Sequence, residues 1–310
     1  MGRYLLVVVF LLISACGGNE LNVISGSTMG TTYTVKTIGK SVDKQLIEER
    51  LKKINKIFST WDEVSELSLL NKKPTNTWLD VSDELFYVLS VSKDIYQQTN
   101  GYFDPGIGRL IDLWGFGAKK IKTKPTKDMI KKSLQNSSIK FIKLKNGKIN
   151  KTKDIFINLS AIAKGYAVDE VAKLLKNQGA DNFLVEIGGE VSAFGDNNWT
   201  VGVERPNAKK PIVLELNNNS VATSGNYRNY FIWQGKKYMH ILNPKTGLPA
   251  NSDLASVSIV NKQTMLSDAF ATAMMAMGLD KAKVLAKKLN LAVILILNED
   301  LNFEVIEIGL

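Results

Sequence analysis

Hydrophobic residues recur every three or four positions in five stretches of the chain, and this spacing predicts five helices. The stretches cover residues 43–58, 83–99, 161–177, 266–277 and 280–289. Ser82 stands where the N-cap of the second helix is expected, and Gly101 follows its end. Gly179 likewise follows the third helix, so start and stop signals agree with the periodicity.

Shorter stretches that alternate apolar and polar residues, or are continuously apolar, predict strands. They cover residues 31–37, 141–144, 148–150, 155–158, 183–187, 199–204, 212–216, 230–233, 238–242, 256–260, 291–297 and 303–308. Asn146-Gly147 and Gln234-Gly235 predict tight hairpin turns. Residues 102–118, where glycines stand among aromatics, predict a shaped loop. Because strands and helices mix without strict alternation, the predicted fold class is α+β, with mixed, largely antiparallel sheets and packed helices.

The first residues predict an export signal. A positive start at Arg3 precedes a short apolar run and the small residues Ser14 and Ala15. The run is shorter than the roughly 20 residues that a membrane-spanning helix needs. Residues 13–16 resemble the lipobox of bacterial lipoproteins, with an ordinary cleaved signal as the alternative. We therefore expect a signal peptide over 1–15, a lipidated Cys16 with a tether over 16–22, and a single domain over 23–310. The protein would be lipid-anchored to a bacterial membrane and face the periplasm or the cell exterior.

Charge and composition exclude several classes of function. The formal net charge is +10, and much of the excess lysine lies within residues 119–153. Aromatic side chains are scarce there, so the stretch favours a solvated face over a nucleic-acid groove, with anionic lipid headgroups as the alternative partner. The single cysteine excludes an internal disulfide framework and a CxxC zinc site. The single histidine, His240, excludes a His-rich metal site.

Two segments carry candidate phosphate and metal chemistry, although neither common nucleotide-binding glycine motif is present. Residues 158–169 form a strand-to-helix junction of small residues with Lys164 in the first turn, which suits a phosphate group or simply a tightly packed helix start. Asp268 and Thr272 are four residues apart and share one helix face. A carboxylate and a hydroxyl there are hard ligands suited to Mg²⁺ that completes its shell with phosphate oxygens; a capping Asp and a Thr bonded to the preceding turn are the alternative.

Two further segments are weaker signals. Residues 224–228 form a turn followed by a cation beside an aromatic residue. Residues 240–249 form a loop made rigid by two prolines and a glycine, and His240 opens it. A lone histidine is more often structural than catalytic, but beside such a loop both readings stay open.

Taken together and in order, these segments resemble the ApbE family of FAD:protein FMN transferases. The resemblance spans nearly the whole chain after the signal and also takes in residues 28–31, 59–61, 101–105, 113–117 and 186–190. It implies a T-fold-like ApbE architecture and a Mg²⁺-dependent reaction in which a Thr or Ser hydroxyl of an acceptor protein attacks FAD. FMN would then be held by a phosphoester bond, and AMP would leave. Acceptors would be subunits of exported or membrane redox complexes that carry a short Ser/Thr-Gly-Ala-Thr-like motif.

The resemblance also assigns site residues. It implies metal ligation by Asp268, Thr272 and the backbone carbonyl of Ala161. The residues that it places at the FAD site are Met29, Trp61, Tyr102, Phe103, Asp104, Asn158, Lys164 and the backbone near Leu242. Asn158 departs from the Asp common at its position. His240 and Asp268 are the expected catalytic residues, His240 as the acceptor of the hydroxyl proton.

Two rival functions remain open at the level of sequence. The same site could hydrolyse FAD to FMN and AMP, as a Mg²⁺-dependent pyrophosphatase. A lipid-anchored protein that binds FAD without chemistry is the other alternative. Asp268 and Thr272 argue against this carrier, because mere binding needs no metal on the pyrophosphate.

Overall fold

The computed structural model describes residues 20–118, 124–206, 208, 210–227, 229–250 and 252–310. The helices are α1 (Lys44–Phe58), α2 (Glu66–Lys72), α3 (Asp83–Gln98), α4 (Gly108–Leu113), α5 (Lys127–Leu134), α6 (Ala163–Asn177), α7 (Thr264–Met277) and α8 (Leu279–Leu289). None of the helices within these residues is long and apolar enough to cross a membrane.

The strands fall into one large sheet and several small ones. They are β1 (Leu21–Thr28), β2 (Thr31–Ile38), β3 (Trp78–Asp80), β4 (Ile142–Lys145), β5 (Lys148–Lys151), β6 (Phe183–Ile187), β7 (Glu190–Phe194), β8 (Trp199–Val203), β9 (Ile212–Leu216), β10 (Ser220–Gly225), β11 (Tyr230–Trp233), β12 (Lys236–Met239), β13 (Leu242–Asn243), β14 (Leu248–Pro249), β15 (Leu254–Asn261), β16 (Ala292–Leu297) and β17 (Val305–Ile308).

The large sheet has eight strands in the order β1-β2-β6-β7-β10-β15-β16-β17, and every neighbouring pair is antiparallel. Its central strands are buried on both faces. In β6, Phe183 and Val185 belong to the main core, whereas Leu184 points to a second cluster on the opposite face. The β8–β9 hairpin covers that opposite face through Trp199 and Leu216. The sheet is therefore the middle layer of the fold.

Helices α6 and α7 cover the main-core face of the sheet and touch each other closely. A side chain at Gly165 would place its Cβ 2.5 Å from the carbonyl oxygen of Thr264, so only glycine permits this approach. The carboxylate of Asp169 accepts the backbone N–H groups of Thr264 and Met265, each at 2.9 Å. A residue of α6 thus caps the start of α7, where helix N–H groups have no partner within the helix.

A smaller aromatic cluster lies beside the main core and supports the β11–β12 hairpin. Trp114 packs against Tyr238 with ring centroids 5.5 Å apart, and Phe116 packs against Phe231 at 5.4 Å. The indole N–H of Trp114 donates to the carbonyl of Gly247 at 2.8 Å, so the cluster also holds the loop after the hairpin. Two small sheets complete the fold, β13–β14 and the three-stranded β3-β5-β4. Lys93 of α3 donates to the carbonyl of Ile142, the first residue of β4, at 2.9 Å.

The structure confirms the α+β class and the predicted helices, with boundaries shifted by at most two residues. Ser82 caps α3 by accepting the N–H of Leu85, and both hairpin turns form, with Asn146 and Gln234 in left-handed backbone conformations. The sequence missed α2, α5, β1, β3, β7, β10 and β14. Helices α2 and α5 are too short to show a clear period, and β10 is rich in small polar residues.

Four local predictions were wrong. Residues 155–158 make a single bridge from Phe156 to Ile107 rather than a strand. Residues 102–118 contain α4 instead of forming a continuous loop, and the strand predicted over 238–242 ends at Met239. Residues 21 and 22, expected in the tether, begin β1 because they pair with Thr37 and Ile38. Cys16 and the predicted signal peptide over 1–15 lie outside the described residues.

Candidate active site

One cavity brings together nearly all the residues that the sequence singles out. Its volume is about 610 Å³, within the range of roughly 300–1,000 Å³ of small-molecule sites. The predicted site residues that line it are Trp61, Tyr102, Phe103, Asp104, Asn158, Ala161, Lys164, His240, Leu242, Asp268 and Thr272. Met29 is not among the lining residues; it sits in the β1–β2 turn with φ of 49° and packs against the main core.

The floor of the cavity contains the acid and hydroxyl of α7. Asp268 is buried, and its Oδ2 accepts the backbone N–H of Gly165 at 3.0 Å. Thr272 follows one turn later, and its hydroxyl lies 2.9 Å from that of Ser224 on β10. Burial raises the pKa of the Asp268 carboxyl, because an isolated charge is poorly solvated there. Its second oxygen has no donor within the described part of the chain, so the floor offers an open carboxylate oxygen.

Lys164 enters the cavity from the first turn of α6 and forms an ion pair inside it. Its Nζ lies 2.6 Å from Oε2 of Glu190, the first residue of β7. Glu190 is 1% exposed, so the pair is largely withdrawn from water. Although burial opposes its charge, Glu190 and Asp268 raise the pKa of Lys164. The cavity therefore holds a permanent cation close to Asp268.

His240 stands in the cavity wall, at the base of the β11–β12 hairpin. Its Nδ1 lies 3.0 Å from the carbonyl oxygen of Asn229, so Nδ1 carries the proton and Nε2 is left as a base. The ring meets the edge of Phe116, with centroids 6.3 Å apart. Burial lowers the pKa of His240, and the charge of Lys164 acts in the same direction. The imidazole is therefore neutral at pH 7 and able to accept a proton.

Two predicted FAD-site residues, Asp104 and Asn158, use their side chains to hydrogen-bond the backbone around the cavity. Oδ1 of Asp104 accepts the N–H groups of Gly106 at 2.8 Å and of Ile139 at 2.7 Å, and burial raises the pKa of Asp104 to about 6. Asn158 uses its side-chain oxygen to accept the N–H of Ser160 at 2.9 Å. Both residues line the cavity, but Oδ1 of each accepts hydrogen bonds from backbone N–H groups. These two oxygens are therefore occupied by the protein itself.

The residues at the floor suit a magnesium ion that shares its shell with a substrate. No group of three or more His, Cys, Asp or Glu that could hold a metal occurs within the described residues. Asp268, Thr272 and the backbone carbonyl of Ala161 are oxygen donors, which Mg²⁺ prefers. The open carboxylate oxygen of Asp268 is the observation that supports the fit, because it is an unoccupied ligand position for a hard cation.

The sequence alone did not assign Glu190 or Ser224 a role. Both residues lie within segments that the family resemblance includes, residues 186–190 and 224–228. No local sequence pattern, however, shows that Glu190 faces Lys164 or that Ser224 faces Thr272. Each partnership joins residues from separate strands and helices. Arg228 lies outside the described residues.

Known structures share this arrangement of layers. The chain superposes on the flavin transferase ApbE from Vibrio cholerae with a TM-score of 0.86 and 31% identity, over 93% of this chain and 96% of that one. The ApbE protein from Thermotoga maritima gives 0.83 and 30%, over 93% and 97%. The eight-stranded sheet, the α6–α7 layer and the polar cavity thus define an α+β protein of the flavin transferase class.

Sequence comparison identifies the family within this class. The profile of the ApbE family matches residues 29–295. A relative from Haemophilus influenzae, named FAD:protein FMN transferase, is 36% identical over 96% of this chain and 92% of its own length. One of the same name from Escherichia coli K12 is 29% identical over 92% and 86%. The chain belongs to the ApbE family, and its relatives are enzymes.

Proposed function

We propose that this protein is a Mg²⁺-dependent FAD:protein FMN transferase that attaches FMN to a Thr or Ser hydroxyl of an acceptor protein. The observation that supports this most is the shared cavity, in which a buried carboxylate, a half-buried ammonium and a neutral imidazole face one space. Phosphoryl transfer requires mainly positioning and charge neutralisation, and these three groups supply both. The names of the relatives support the same reaction.

The proposed reaction exchanges one phosphorus–oxygen bond for another. The acceptor oxygen forms a bond to the phosphorus on the flavin side of FAD, and the bond from that phosphorus to the bridging oxygen breaks. AMP leaves with the bridging oxygen, and FMN remains on the acceptor as a phosphoester. The acceptor hydroxyl loses its proton to Nε2 of His240. No nucleophile from the enzyme is required.

Each polar group of the site then has a distinct task. Lys164 neutralises pyrophosphate charge from the start of α6. Asp268, Thr272 and the carbonyl of Ala161 would hold Mg²⁺, which supplies Lewis-acid stabilisation of the charge developing on the pyrophosphate. Trp61 stands 60% exposed among the lining residues, where its ring can stack on a flavin or adenine.

The acceptor and the location of the protein stay predictions from the sequence. We expect an exported or membrane-facing redox subunit as acceptor, and a lipid anchor at Cys16 that keeps the enzyme at a bacterial membrane. Both follow from the signal-like N-terminus and the family resemblance.

The test combines purified protein, FAD, Mg²⁺ and an acceptor domain with the expected Ser/Thr motif, and measures acceptor mass with free AMP and FMN. An FMN-sized mass gain that EDTA abolishes, with AMP released in equal amount, is expected. Free FMN and AMP without acceptor labelling would instead establish the pyrophosphatase. Bound FAD with no AMP would leave only the carrier. An acceptor whose Thr or Ser is replaced by Ala is the matched control.

A further inference from the structure

Lys164 has two buried carboxylates within its electrostatic reach, but it forms an ion pair with only one of them. Its Nζ contacts Glu190 at 2.6 Å. Within the described residues it makes no ion pair with Asp268, although the Asp268 charge is the next strongest favourable influence on the ammonium. Asp268 instead accepts a backbone N–H from Gly165, the residue that follows Lys164. The ammonium is thus held to one side of the α7 carboxylate.

The carboxylate with which Lys164 pairs decides whether Asp268 is free to bind a cation. A buried ammonium that loses one carboxylate partner moves towards the next, because an unpaired charge in a dry site is costly. Among the described residues, two other acids act on Lys164: Asp268, which is buried, and Glu186, which is only half-buried. A Lys164–Asp268 pair would occupy the carboxylate oxygen that has no donor and that a cation would use.

We propose that Glu190 is a positioning residue that holds the Lys164 ammonium away from Asp268 and so keeps that carboxylate open to a divalent cation. The inference deepens the proposed function, since it assigns the residue that separates the phosphate-binding cation from the metal ligand. Glu190 touches neither substrate nor metal in this scheme and acts through Lys164.

The backbone fixes Glu190 firmly enough for this task. It opens β7 directly after Gly188 and Gly189, both with positive φ, in a turn where Ile187 and Glu190 pair across the hairpin. A Cβ at Gly188 would lie 2.7 Å from the side chain of Thr31, so the turn is closely packed. With 1% of its surface exposed, the Glu190 side chain has no solvent to swing into.

The test measures Mn²⁺ binding by electron paramagnetic resonance, without FAD or acceptor, so that its readout is independent of turnover. Glu190→Gln removes the charge but keeps the shape, and we expect Mn²⁺ affinity to fall about tenfold or more as Lys164 turns to Asp268. The double variant Lys164→Met/Glu190→Gln removes the competing ammonium and should regain the affinity of Lys164→Met alone. Glu215→Gln, an exposed acid outside the cavity lining, is the matched control and should bind like the wild type.

The conservative variant Glu190→Asp keeps the charge and should stay closer to the wild type than Glu190→Gln, which preserves the test if the glutamine variant folds poorly. Wild-type affinity in folded Glu190→Gln would overturn the inference. So would a double variant as weak as Glu190→Gln, or a wild type that binds no Mn²⁺ at millimolar concentration. A protein that shows the expected Mn²⁺ pattern but never labels an acceptor would instead contradict the proposed function alone.

Discussion

The floor and the wall of the cavity are built by different means. The floor consists of α6, α7 and the start of β7, which carry the charges of Lys164, Glu190 and Asp268. The wall lies at the base of the β11–β12 hairpin, which the aromatic cluster around Trp114 holds, and its residue His240 is neutral at pH 7. Charge is thus concentrated on one side and removed from the other.

This division suits a reaction with two unlike partners. In the proposed reaction the floor binds a substrate that carries permanent negative charge, so fixed charges in a low-dielectric region act strongly on it. The wall receives a neutral hydroxyl and takes its proton, which requires an uncharged base. Aromatic packing supplies that environment because it excludes water without adding charge.

The largest effect on the rate is expected when the carboxylate on the cavity floor, Asp268, is removed. Asp268→Ala should reduce AMP release at saturating FAD by about a thousandfold, since the carboxylate proposed to hold Mg²⁺ is lost. The free energy of unfolding should change little, because removing a buried carboxylate offsets the loss of its hydrogen bond from Gly165. Rate and urea denaturation measured together check both parts. Asp280→Asn, on the exposed first turn of α8, is the control, and equal activity in both variants would remove Asp268 from the site.

Replacing His240, the proposed proton acceptor, should lower the rate of transfer without affecting FAD binding. We expect His240→Gln to reduce acceptor labelling about a hundredfold or more, with the FAD dissociation constant unchanged. Weaker FAD binding at an unchanged rate would instead indicate that His240 binds the negatively charged substrate and does not accept the proton.

The pH profile sharpens the same point. The base must be deprotonated, and burial places the pKa of His240 below 6.5. The wild-type rate should therefore stay level across neutral pH and fall only as the pH drops through that lowered value. His240→Gln should lose this acidic limb. A limb that persists would point to Asp104, whose pKa of about 6 lies nearby.

A smaller effect is expected at the mouth of the cavity. Trp61→Ala should raise the KM for FAD about tenfold and leave kcat unchanged, because stacking on an aromatic ring contributes about 1–3 kcal/mol per base and Trp61 is partly solvated. Trp78→Ala, another exposed tryptophan outside the lining, is the matched control. An equal KM in the two variants would contradict stacking at Trp61.

The smallest effect on turnover is expected from a substitution of Trp114, in the aromatic cluster that supports the wall. Trp114→Phe keeps the aromatic packing but leaves the Gly247 carbonyl without its donor, which should lower the free energy of unfolding by about 1–2 kcal/mol. The rate should fall only a few-fold. Urea denaturation against Trp78→Phe, an exposed control expected within about 0.5 kcal/mol of wild type, provides the check.

The sequence predicts the floor better than the wall. Periodicity and the spacing of Asp268 and Thr272 locate α7 and its polar face, because both signals lie within one helix. The support of His240 by Asn229 and Phe116 depends on contacts between separate segments, and no local pattern encodes them. The same holds for Asp104, which resembles a ligand but binds the backbone of Ile139, 35 residues away.

The contact at Gly165 has a consequence for how the protein becomes active. The hydrogen bond from Gly165 to Asp268 joins positions 103 residues apart, and forming it closes a long loop at an entropic cost. Local hairpins such as β4–β5 can form much earlier, since their loops are short. The catalytic centre therefore arises only when α6 docks on α7. During refolding, flavin transfer should appear with that late step, and a chain that is still folding leaves FAD intact.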